Sequence, residues 1–283
     1  MKRFVLFIAS LFPDKYYLII ICRGKLGYKP NFDNPLTFNE KLNWLKLHDH
    51  NPLYTKMADK YEVKKLVNDI IGEQYVVKNL GCWNKFEDII WESLPDQFVL
   101  KCTHDSSGAV ICRNKDLFDK NAAKKKIEDS LHLNYFYACR EWPYKNISPR
   151  IIADELLDDH SGKELNDFKF WCFNGVPKYM YCTIKTNREK IYENFYDMDF
   201  KPVNIAHGWP RRISEFERPA AFDEMKALAT KLSAGIPFVR VDFFYVNGKV
   251  YFGEFTFFDW AGLQPFDTYG QDLELGKLIK LPI

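Results

Sequence analysis

Long apolar runs are absent from this sequence. Its two apolar stretches near the N-terminus, residues 4–12 and 16–22, are separated by Pro13, Asp14 and Lys15. Neither reaches the roughly 18 to 20 residues that a membrane-spanning helix requires, and no small-residue cleavage site of a signal peptide follows the first. We therefore predict that residues 1–55 form an N-terminal helical segment of a cytoplasmic protein, with peripheral association with the inner face of the membrane as an alternative.

The usual metal, disulfide and nucleotide-binding motifs are also absent. The seven cysteines form no CxxC pair and the six histidines no HExxH motif, which disfavours structural zinc and a disulfide framework and favours a reducing compartment. Neither GxxxxGK[ST] nor GxGxxG occurs, so a nucleotide would be bound without a Walker A loop or a Rossmann fingerprint. A net charge of +2, from 40 basic and 38 acidic residues, predicts no nucleic-acid partner.

Apolar and aromatic residues are plentiful, at 47% and 17% of the 283 residues, which suffices for one large domain or two lobes. Predicted hairpins alternate with predicted helices, and this indicates an α+β architecture rather than a regular βαβ series. Helices are expected from a capping box at Thr37 to Glu40, from Asp59 to a stop at Gly72, and over 119–141 and 222–234. Strands are expected at 98–103, 109–112, 149–153, 168–173 and 178–184.

The most informative stretch is a predicted hairpin over residues 239–256, with Asn247-Gly248 at its turn. Its otherwise apolar strands carry Arg240, Asp242 and Glu254. Charged groups in a core hairpin are costly unless something compensates them. A divalent metal that carries the phosphates of a nucleotide would compensate the two carboxylates.

This metal interpretation makes a demand on the register of the hairpin. A two-residue loop at the Asn-Gly turn pairs Asp242 with Gly253 and sends Glu254 to the opposite face of the sheet. A three-residue loop, or a bulge, would instead set Asp242 against Glu254, where two carboxylates favour a cation between them. The alternative is that one of the carboxylates faces solvent.

A phosphate-binding candidate lies at the predicted strand that contains Lys101. The loop that follows, Ser106-Ser107-Gly108, could place backbone N–H groups and the lysine ammonium around phosphate oxygens. The alternative is a lysine on an edge strand beside a hairpin turn.

Two further charged pairs are each open to two interpretations. Asp154-Glu155, at the end of a predicted strand, could present backbone groups to an adenine and a carboxylate to a ribose, or Asp154 could cap a helix. Asp167 and Lys169 share a strand face, where they could serve a site or simply form an ion pair.

Asp197-Met198-Asp199 matches the DxD metal motif of many glycosyltransferases that use nucleotide sugars, although three-residue acidic matches are common by chance. The first hundred residues lack the alternating strands and helices that such enzymes place before this motif. A glycosyltransferase therefore stands as the alternative function.

The order of these motifs resembles that of the ATP-grasp superfamily. Four phrases, NPLTFNEKLNWLK, LPDQFVLKCTHDSSG, DFKFWCFNG and FVRVDFFYVNGKVYFGEFTFF, are similar to the TupA-like ATP-grasp family, which is found among genes for bacterial capsules, teichuronopeptide and other surface polysaccharides. The resemblance covers about residue 30 to the end. It implies two α+β lobes that clamp a nucleotide: an ATP-grasp core at 56–283, with a small lobe at about 97–155 and a larger, metal-binding lobe at about 156–283.

The resemblance also implies a role for each candidate residue. Arg240 would stabilise developing negative charge, and Lys169, which replaces an arginine of some relatives, would lie near the transferred phosphate. Mg²⁺ would be held by Asp242, Glu254 and Thr256, the last of which is Asn in many superfamily members. ATP would be bound by Lys60, Lys101, Ser106, Ser107, Gly108, Asp154, Glu155, Leu157 and Asp167; Asp154, where relatives more often have Glu, or Glu155 would hold adenosine with backbone near Leu157.

The implied reaction joins a carboxylate to an amine through an acylphosphate, with ATP and Mg²⁺ as cofactors. The expected partners are a small-molecule or glycan carboxylate, such as an acidic sugar unit, and the amine of an amino acid or amino sugar. A non-catalytic ATP-binding protein on the polysaccharide machinery is a third interpretation.

Overall fold

The computed structural model describes residues 2–106, 108–159, 165–185, 191–209 and 216–282. The helices, in chain order, are α1 (Lys2–Ser10), α2 (Asp14–Leu26), α3 (Phe38–His48), α4 (Pro52–Ala58), α5 (Glu62–Ile71), α6 (Lys120–Leu131), α7 (Phe136–Cys139), α8 (Phe222–Leu232) and α9 (Tyr269–Lys277). The strands are β1 (Asn79–Trp83), β2 (Phe98–Cys102), β3 (Val110–Cys112), β4 (Ile151–Glu155), β5 (Asp167–Phe173), β6 (Val176–Lys185), β7 (Ile191–Asp197), β8 (Pro202–Val203), β9 (Phe238–Val246) and β10 (Lys249–Thr256).

The chain divides into two units, each with its own sheet. The first contains the residues up to Leu11 together with Asn51–Asp158, and the second contains Phe12–His50 together with Asp159–Ile283. Most of the predicted N-terminal segment therefore belongs to the second unit, where α3 packs against α9. Helices combined with two antiparallel sheets make an α+β fold, as predicted.

The first unit is built on a four-stranded sheet in the order β1-β4-β2-β3. Alternate residues of β2, namely Phe98, Leu100 and Cys102, are fully buried on one face, and α6 packs against this face through Ala123 and Ile127. Because side chains alternate along a strand, Lys101 projects from the other face. β2 lies between β4 and β3, so the interpretation of Lys101 as an edge-strand residue is wrong.

The second unit is built on a six-stranded sheet in the order β10-β9-β5-β6-β7-β8. One face carries the apolar side chains of β9 and β5, among them Val241 and Phe170, and α8 packs over it. Since directly opposite residues of an antiparallel pair lie on one face, the register sets the other face. Lys169 lies opposite Asp242, and Tyr181 lies opposite Lys169. This second face therefore carries polar side chains on three neighbouring strands, beside the buried Trp171 opposite Arg240.

Most predicted elements are present, with one clear difference among the helices. The capping box is confirmed, since the Thr37 side chain accepts from the backbone N–H of Glu40 and the Glu40 side chain accepts in return. The helix predicted over 119–141 ends instead at Leu131. There Asn134 accepts from the backbone N–H of Phe136 and donates to the carbonyl of Lys145, and these local bonds compete with continued helix.

No helix among the described residues is long and apolar enough to cross a membrane.

The junction of α9 with the start of α3 leaves no room for a side chain at Gly276. An ideal Cβ there would overlap the carbonyl oxygen of Leu36 and lie 2.6 Å from the carbonyl carbon of Thr37. We expect Gly276→Ala to lower the free energy of unfolding by about 1–3 kcal/mol, because the backbone must move to accommodate the methyl group. Urea denaturation measures the change.

Gly270, near the start of the same helix, is the matched control. The nearest atom to a Cβ at Gly270 is the Thr268 hydroxyl, at 3.9 Å. Gly270→Ala should be neutral or raise the free energy of unfolding by up to about 1 kcal/mol, through helix propensity alone. Equal effects of the two substitutions would contradict this account of the junction.

Candidate functional site

The acidic hairpin of the second unit has both a two-residue turn and a bulge. Asn247 and Gly248 form the turn with φ values of 51° and 78°, as an Asn-Gly sequence favours. The pairing runs from Val246 opposite Lys249 as far as Phe243 opposite Phe252, then shifts by one residue. Beyond the shift, Val241 lies opposite Phe255 and Arg240 opposite Thr256. One extra residue of β10 therefore sits at the level of Asp242.

The bulge brings Glu254 to the same face as Arg240 and Asp242. Nη2 of Arg240 lies 3.4 Å from Oε1 of Glu254 and donates to Oδ2 of Asp242 at 2.7 Å. Gly253 makes the bulge possible, because a Cβ there would lie only 3.1 Å from the backbone oxygen of Asp242. The metal interpretation required Asp242 and Glu254 to lie on one face of the hairpin. A bulge, rather than a three-residue loop, places them there.

Arg240 is the centre of this cluster. Its Nε donates to Oδ1 of Asp242 at 2.7 Å, which makes the contact with Asp242 bidentate. On its other side, Nη1 donates to the Tyr181 hydroxyl at 3.1 Å and to the Asp259 carboxylate. Bidentate guanidinium–carboxylate pairs are among the strongest and most directional polar contacts in proteins. The guanidinium is therefore fixed in position.

Burial and charge together shape the acidity of this face. Burial raises the pKa of Asp242 to about 6, against the opposing effect of Arg240. Burial, and then the negative charge of Asp259, raise the pKa of Glu193 to about 8. Burial also disfavours ionised Asp259, but Arg240 and His207 outweigh it and lower the pKa of Asp259 to about 2.

The donor set suits Mg²⁺ only in part. With Asp242, Glu254 and Asp259 ionised, three carboxylates contact one guanidinium, which leaves two negative charges in excess. Within the ranges that the structure describes, no group of three or more His, Cys, Asp or Glu side chains could hold a metal ion. Mg²⁺, however, is commonly bound through one or two carboxylates plus substrate phosphates and water. Asp242 and Glu254 fit that mode, and Thr256 lies on the same face opposite Arg240.

Lys169 and Asp167 lie on β5, the strand beside β9. Lys169 is directly opposite Asp242, and its ammonium forms an ion pair with Asp167. The predicted face-sharing pair is therefore present, and it borders the acidic cluster.

In the first unit, two lysines share one buried carboxylate. Lys101 reaches Oδ2 of Asp154 at 2.8 Å, and Lys64 reaches Oδ1 at 3.1 Å. Asn79 also donates to Oδ1, at 3.1 Å. Burial lowers the pKa of Lys64, Asp154 raises it, and the nearby Lys101 lowers it further. One excess positive charge results, which suits an anion.

Lys64 was missed from the sequence, although its spacing was a usable signal. In the helix that the sequence predicts from Asp59, Lys60 and Lys64 are four residues apart and would share a face; in the structure Lys64 lies on α5, which begins at Glu62, just after Lys60. Asp154, by contrast, is a strand residue with both oxygens engaged, so its interpretation as a helix cap is wrong. Glu155 ends the same strand and is exposed, and Leu157 is half-buried.

The loop after β2 is tied to Lys60 and to α6. The backbone N–H of Lys60 donates to the carbonyl of Thr103 at 3.0 Å, and its ammonium donates to the carbonyl of Asp105. The Asp105 carboxylate accepts from the Ser130 hydroxyl at 2.8 Å. A Cβ at Gly108 would overlap that carboxylate, so a larger residue there would displace the Asp105 side chain.

The structure describes only one of the two loop serines. Ser106 is exposed, and Ser107 lies outside the described residues.

The DxD motif has a structural explanation. Asp197 ends β7, and its Oδ1 accepts from the backbone N–H groups of Asp199 at 2.9 Å and Lys201 at 2.8 Å. Phe200, within this turn, has a φ of 63°. Such side-chain bonds to the backbone stabilise tight turns, and they account for Asp197 without a metal.

The raised pKa of Glu193 predicts a pH-dependent stability. A carboxyl group whose pKa is higher in the folded than in the unfolded protein keeps its proton more tightly in the folded state. The free energy of unfolding therefore falls as the pH rises from the unfolded to the folded pKa. We expect Glu193→Gln to abolish this loss, so that its stability relative to wild type rises by a few kcal/mol between pH 5 and pH 8. Urea denaturation across this range tests it, with the exposed Glu92 changed to Gln as the control. Parallel pH profiles for Glu193→Gln and wild type would contradict the assignment.

Solved structures with similarity to this chain include several ligases. D-alanine–D-alanine ligase from Helicobacter pylori is 14% identical, with a TM-score of 0.48 over 86% of this chain and 69% of that one. The Bacillus anthracis D-alanine–D-alanine ligase complexed with ATP is 15% identical, with a TM-score of 0.42 over 78% of this chain and 63% of that one. The ATP-grasp ligase PsnB with minimal precursor, Mg and ADP is 14% identical, with a TM-score of 0.40 over 77% of this chain and 57% of that one. This chain thus spans less than two thirds of the last two proteins.

No curated protein sequence matches the chain. The family model described as TupA-like ATPgrasp, however, matches residues 40–280, which is most of both units. It confirms the predicted ATP-grasp fold and the resemblance carried by the four sequence phrases. The chain belongs to the TupA-like ATP-grasp family.

Proposed function

We propose that this chain is an ATP-dependent carboxylate–amine ligase that uses ATP and Mg²⁺. The observation that carries the proposal is the bulged hairpin of a TupA-like ATP-grasp protein, which sets Asp242 and Glu254 against one fixed arginine. The two carboxylates are the oxygen ligands that Mg²⁺ prefers.

The proposed reaction has two balanced steps. A carboxylate oxygen attacks the γ-phosphorus of ATP, the bond to the β,γ-bridging oxygen breaks, and ADP leaves an acylphosphate behind. An amine nitrogen then attacks the acyl carbon, phosphate leaves with the electron pair of the C–O bond, and the nitrogen loses a proton to give an amide. Both nucleophile and triphosphate are anionic in the first step, so their repulsion must be offset by positive charge.

The second unit supplies metal binding and charge stabilisation in this scheme. Asp242, Glu254 and Thr256 would hold Mg²⁺, which supplies charge neutralisation at the phosphates when bound. Arg240 would stabilise the charge that develops in transfer, and its fixed position favours this role because a preorganised donor needs no reorientation. Lys169, paired with Asp167 beside the cluster, would contact the transferred phosphate.

The first unit supplies nucleotide binding. Lys60 and Lys101 would contact phosphates, and we add Lys64 to this proposed set because it shares Asp154 with Lys101. The loop of Ser106, Ser107 and Gly108 would close over the phosphates. Glu155, exposed at the end of β4, and backbone near Leu157 would contact adenosine, while Asp154 would hold the lysines.

The substrates follow from the family resemblance. We propose an acidic sugar unit as the carboxylate and an amino acid or amino sugar as the amine, in the biosynthesis of a bacterial surface polysaccharide. The alternative, a glycosyltransferase that uses Asp197 and Asp199, has less support because Asp197 caps a turn.

A single assay separates the candidate activities. We expect purified protein with Mg²⁺ and ATP to release ADP and phosphate only when both an acid and an amine are present. Asp242→Asn should lower this rate by at least about a hundredfold, as losses of electrostatic stabilisation commonly do. The measurement is coupled detection of ADP and phosphate.

Asp197→Asn is the matched control, since it keeps an oxygen that can accept from the turn backbone. It should retain the activity. Release of UDP from a nucleotide sugar that depends on Asp197, with Asp242→Asn unaffected, would favour glycosyl transfer. Binding of ATP without turnover on any acid and amine would favour a scaffold.

A membrane-facing helix fits substrates of the cell envelope. On α2, Tyr16 and Ile20 are 65% and 59% exposed, and their spacing of four residues places them on one helix face. Exposed Arg23 and Lys25 follow in the last turn. Apolar side chains flanked by cations suit the surface of an anionic bilayer, so we propose that α2 supports peripheral association at the inner face of the membrane of a cytoplasmic protein.

Vesicle flotation tests this proposal. Tyr16→Ser/Ile20→Ser should weaken binding to phosphatidylglycerol vesicles by about tenfold or more, since burial of one such side chain contributes about 1.5–3 kcal/mol. Leu36→Ser, at another exposed apolar position of the same unit, should bind like wild type. Equal flotation of all three proteins, or none, would contradict the role of α2.

A further inference from the structure

Asp259 forms a second buried carboxylate contact with Arg240. Its side chain is fully buried, accepts from Nη1 of Arg240 and accepts from the Tyr181 hydroxyl at 3.2 Å. Nδ1 of His207 lies 3.4 Å from its other oxygen. Asp259 thus holds the opposite edge of the guanidinium from Asp242.

The backbone that carries Asp259 is held in an unusual conformation. Trp260 and Ala261 have φ values of 47° and 54°, in the left-handed region that is costly for residues with a Cβ. The carbonyl of Ala261 accepts from the Lys46 ammonium at 2.6 Å, and the carbonyl of Gly262 accepts from Asn43 at 2.7 Å. Two polar side chains of α3 therefore stabilise the turn that delivers the carboxylate.

Metal binding and the Arg240–Asp242 pair compete for the same atoms. Arg240 donates to both oxygens of Asp242, and a metal ion at Asp242 needs at least one of them. A buried arginine that loses its only carboxylate partner is strongly destabilising. A guanidinium that loosens its contact with Asp242 as the metal binds therefore needs another buried acceptor.

We propose that Asp259 is the positioning residue that retains Arg240 when Asp242 ligates Mg²⁺, an inference that rests on the metal assignment made above. Asp259 acts through Arg240 and does not touch the metal. Its Oδ1 accepts from both Arg240 and Tyr181, and its Oδ2 faces Nδ1 of His207 at 3.4 Å, which supports this division of roles. Without Asp259, the guanidinium would stay on Asp242 and weaken its binding of the metal.

A double-mutant cycle on metal affinity tests the proposal without reliance on turnover. The protein is first saturated with a non-hydrolysable ATP analogue and then titrated with Mn²⁺. The amount of bound ion is followed by electron paramagnetic resonance. We expect Asp259→Asn to weaken Mn²⁺ binding by about tenfold when Arg240 is present, within the usual coupling range for contacting residues. In an Arg240→Gln background the same substitution should change it by less than about twofold.

The cycle separates Asp259 from a direct ligand. An Asp259→Asn effect of equal or greater size in the Arg240→Gln background would mean that Asp259 attracts or ligates the metal itself, and would overturn the inference. Absence of Mn²⁺ binding by wild type would instead overturn the metal assignment of the proposed function.

Two further variants guard against loss of folding. Tyr181→Phe leaves the Asp259 carboxylate in place but removes its hydroxyl partner, and it should weaken Mn²⁺ binding two- to threefold, again only when Arg240 is present. Asp272→Asn changes another buried aspartate of the same unit, which contacts Asn39 and Tyr28, and should leave Mn²⁺ affinity unchanged. A Tyr181→Phe protein with wild-type affinity, or an Asp272→Asn protein as weak as Asp259→Asn, would count against the proposal.

Discussion

One buried guanidinium determines how the polar face of the second unit is organised. An arginine within an apolar sheet is tolerated only with its charge paired and its donors satisfied. Arg240 meets both conditions through Asp242, Asp259 and Tyr181. The opposite face of the same strands packs against α8, and the register fixes which face carries the charge. The acidic residues around it are therefore held where the register places them.

The hairpin shows where sequence reasoning succeeds and where it stops. The residue types predicted both the turn and the acidic face, since turn chemistry and strand alternation are local properties. The two-residue turn alone would place Glu254 on the face opposite Asp242, and a bulge at Gly253 returns it to the same face. A bulge depends on how close two backbones come across the sheet. A single amino-acid sequence carries little information about that distance.

Other contacts were out of reach for a similar reason. Asp259 lies beyond the hairpin and His207 lies before α8, and the tertiary fold brings Asp259 to Arg240 and His207 to Asp259. Lys64 had a local signal, its spacing from Lys60, but its partner Asp154 lies on β4, far along the chain. The family resemblance implied that Asp154 contacts a ribose. In the structure Asp154 is the shared partner of two lysines.

The charged clusters of the two units carry a net charge of opposite sign. In the first, two lysines share one carboxylate and leave a positive excess; in the second, three carboxylates share one arginine and leave a negative excess. Uncompensated charge of this kind is costly to fold, so a purely structural role would favour one-to-one pairs. Under the function proposed above, a polyanionic phosphate chain would remove the first excess and a divalent cation the second. Charge excesses of opposite sign are what the proposed binding of phosphate and metal would offset, whereas one-to-one ion pairs would leave neither ligand a charge to neutralise.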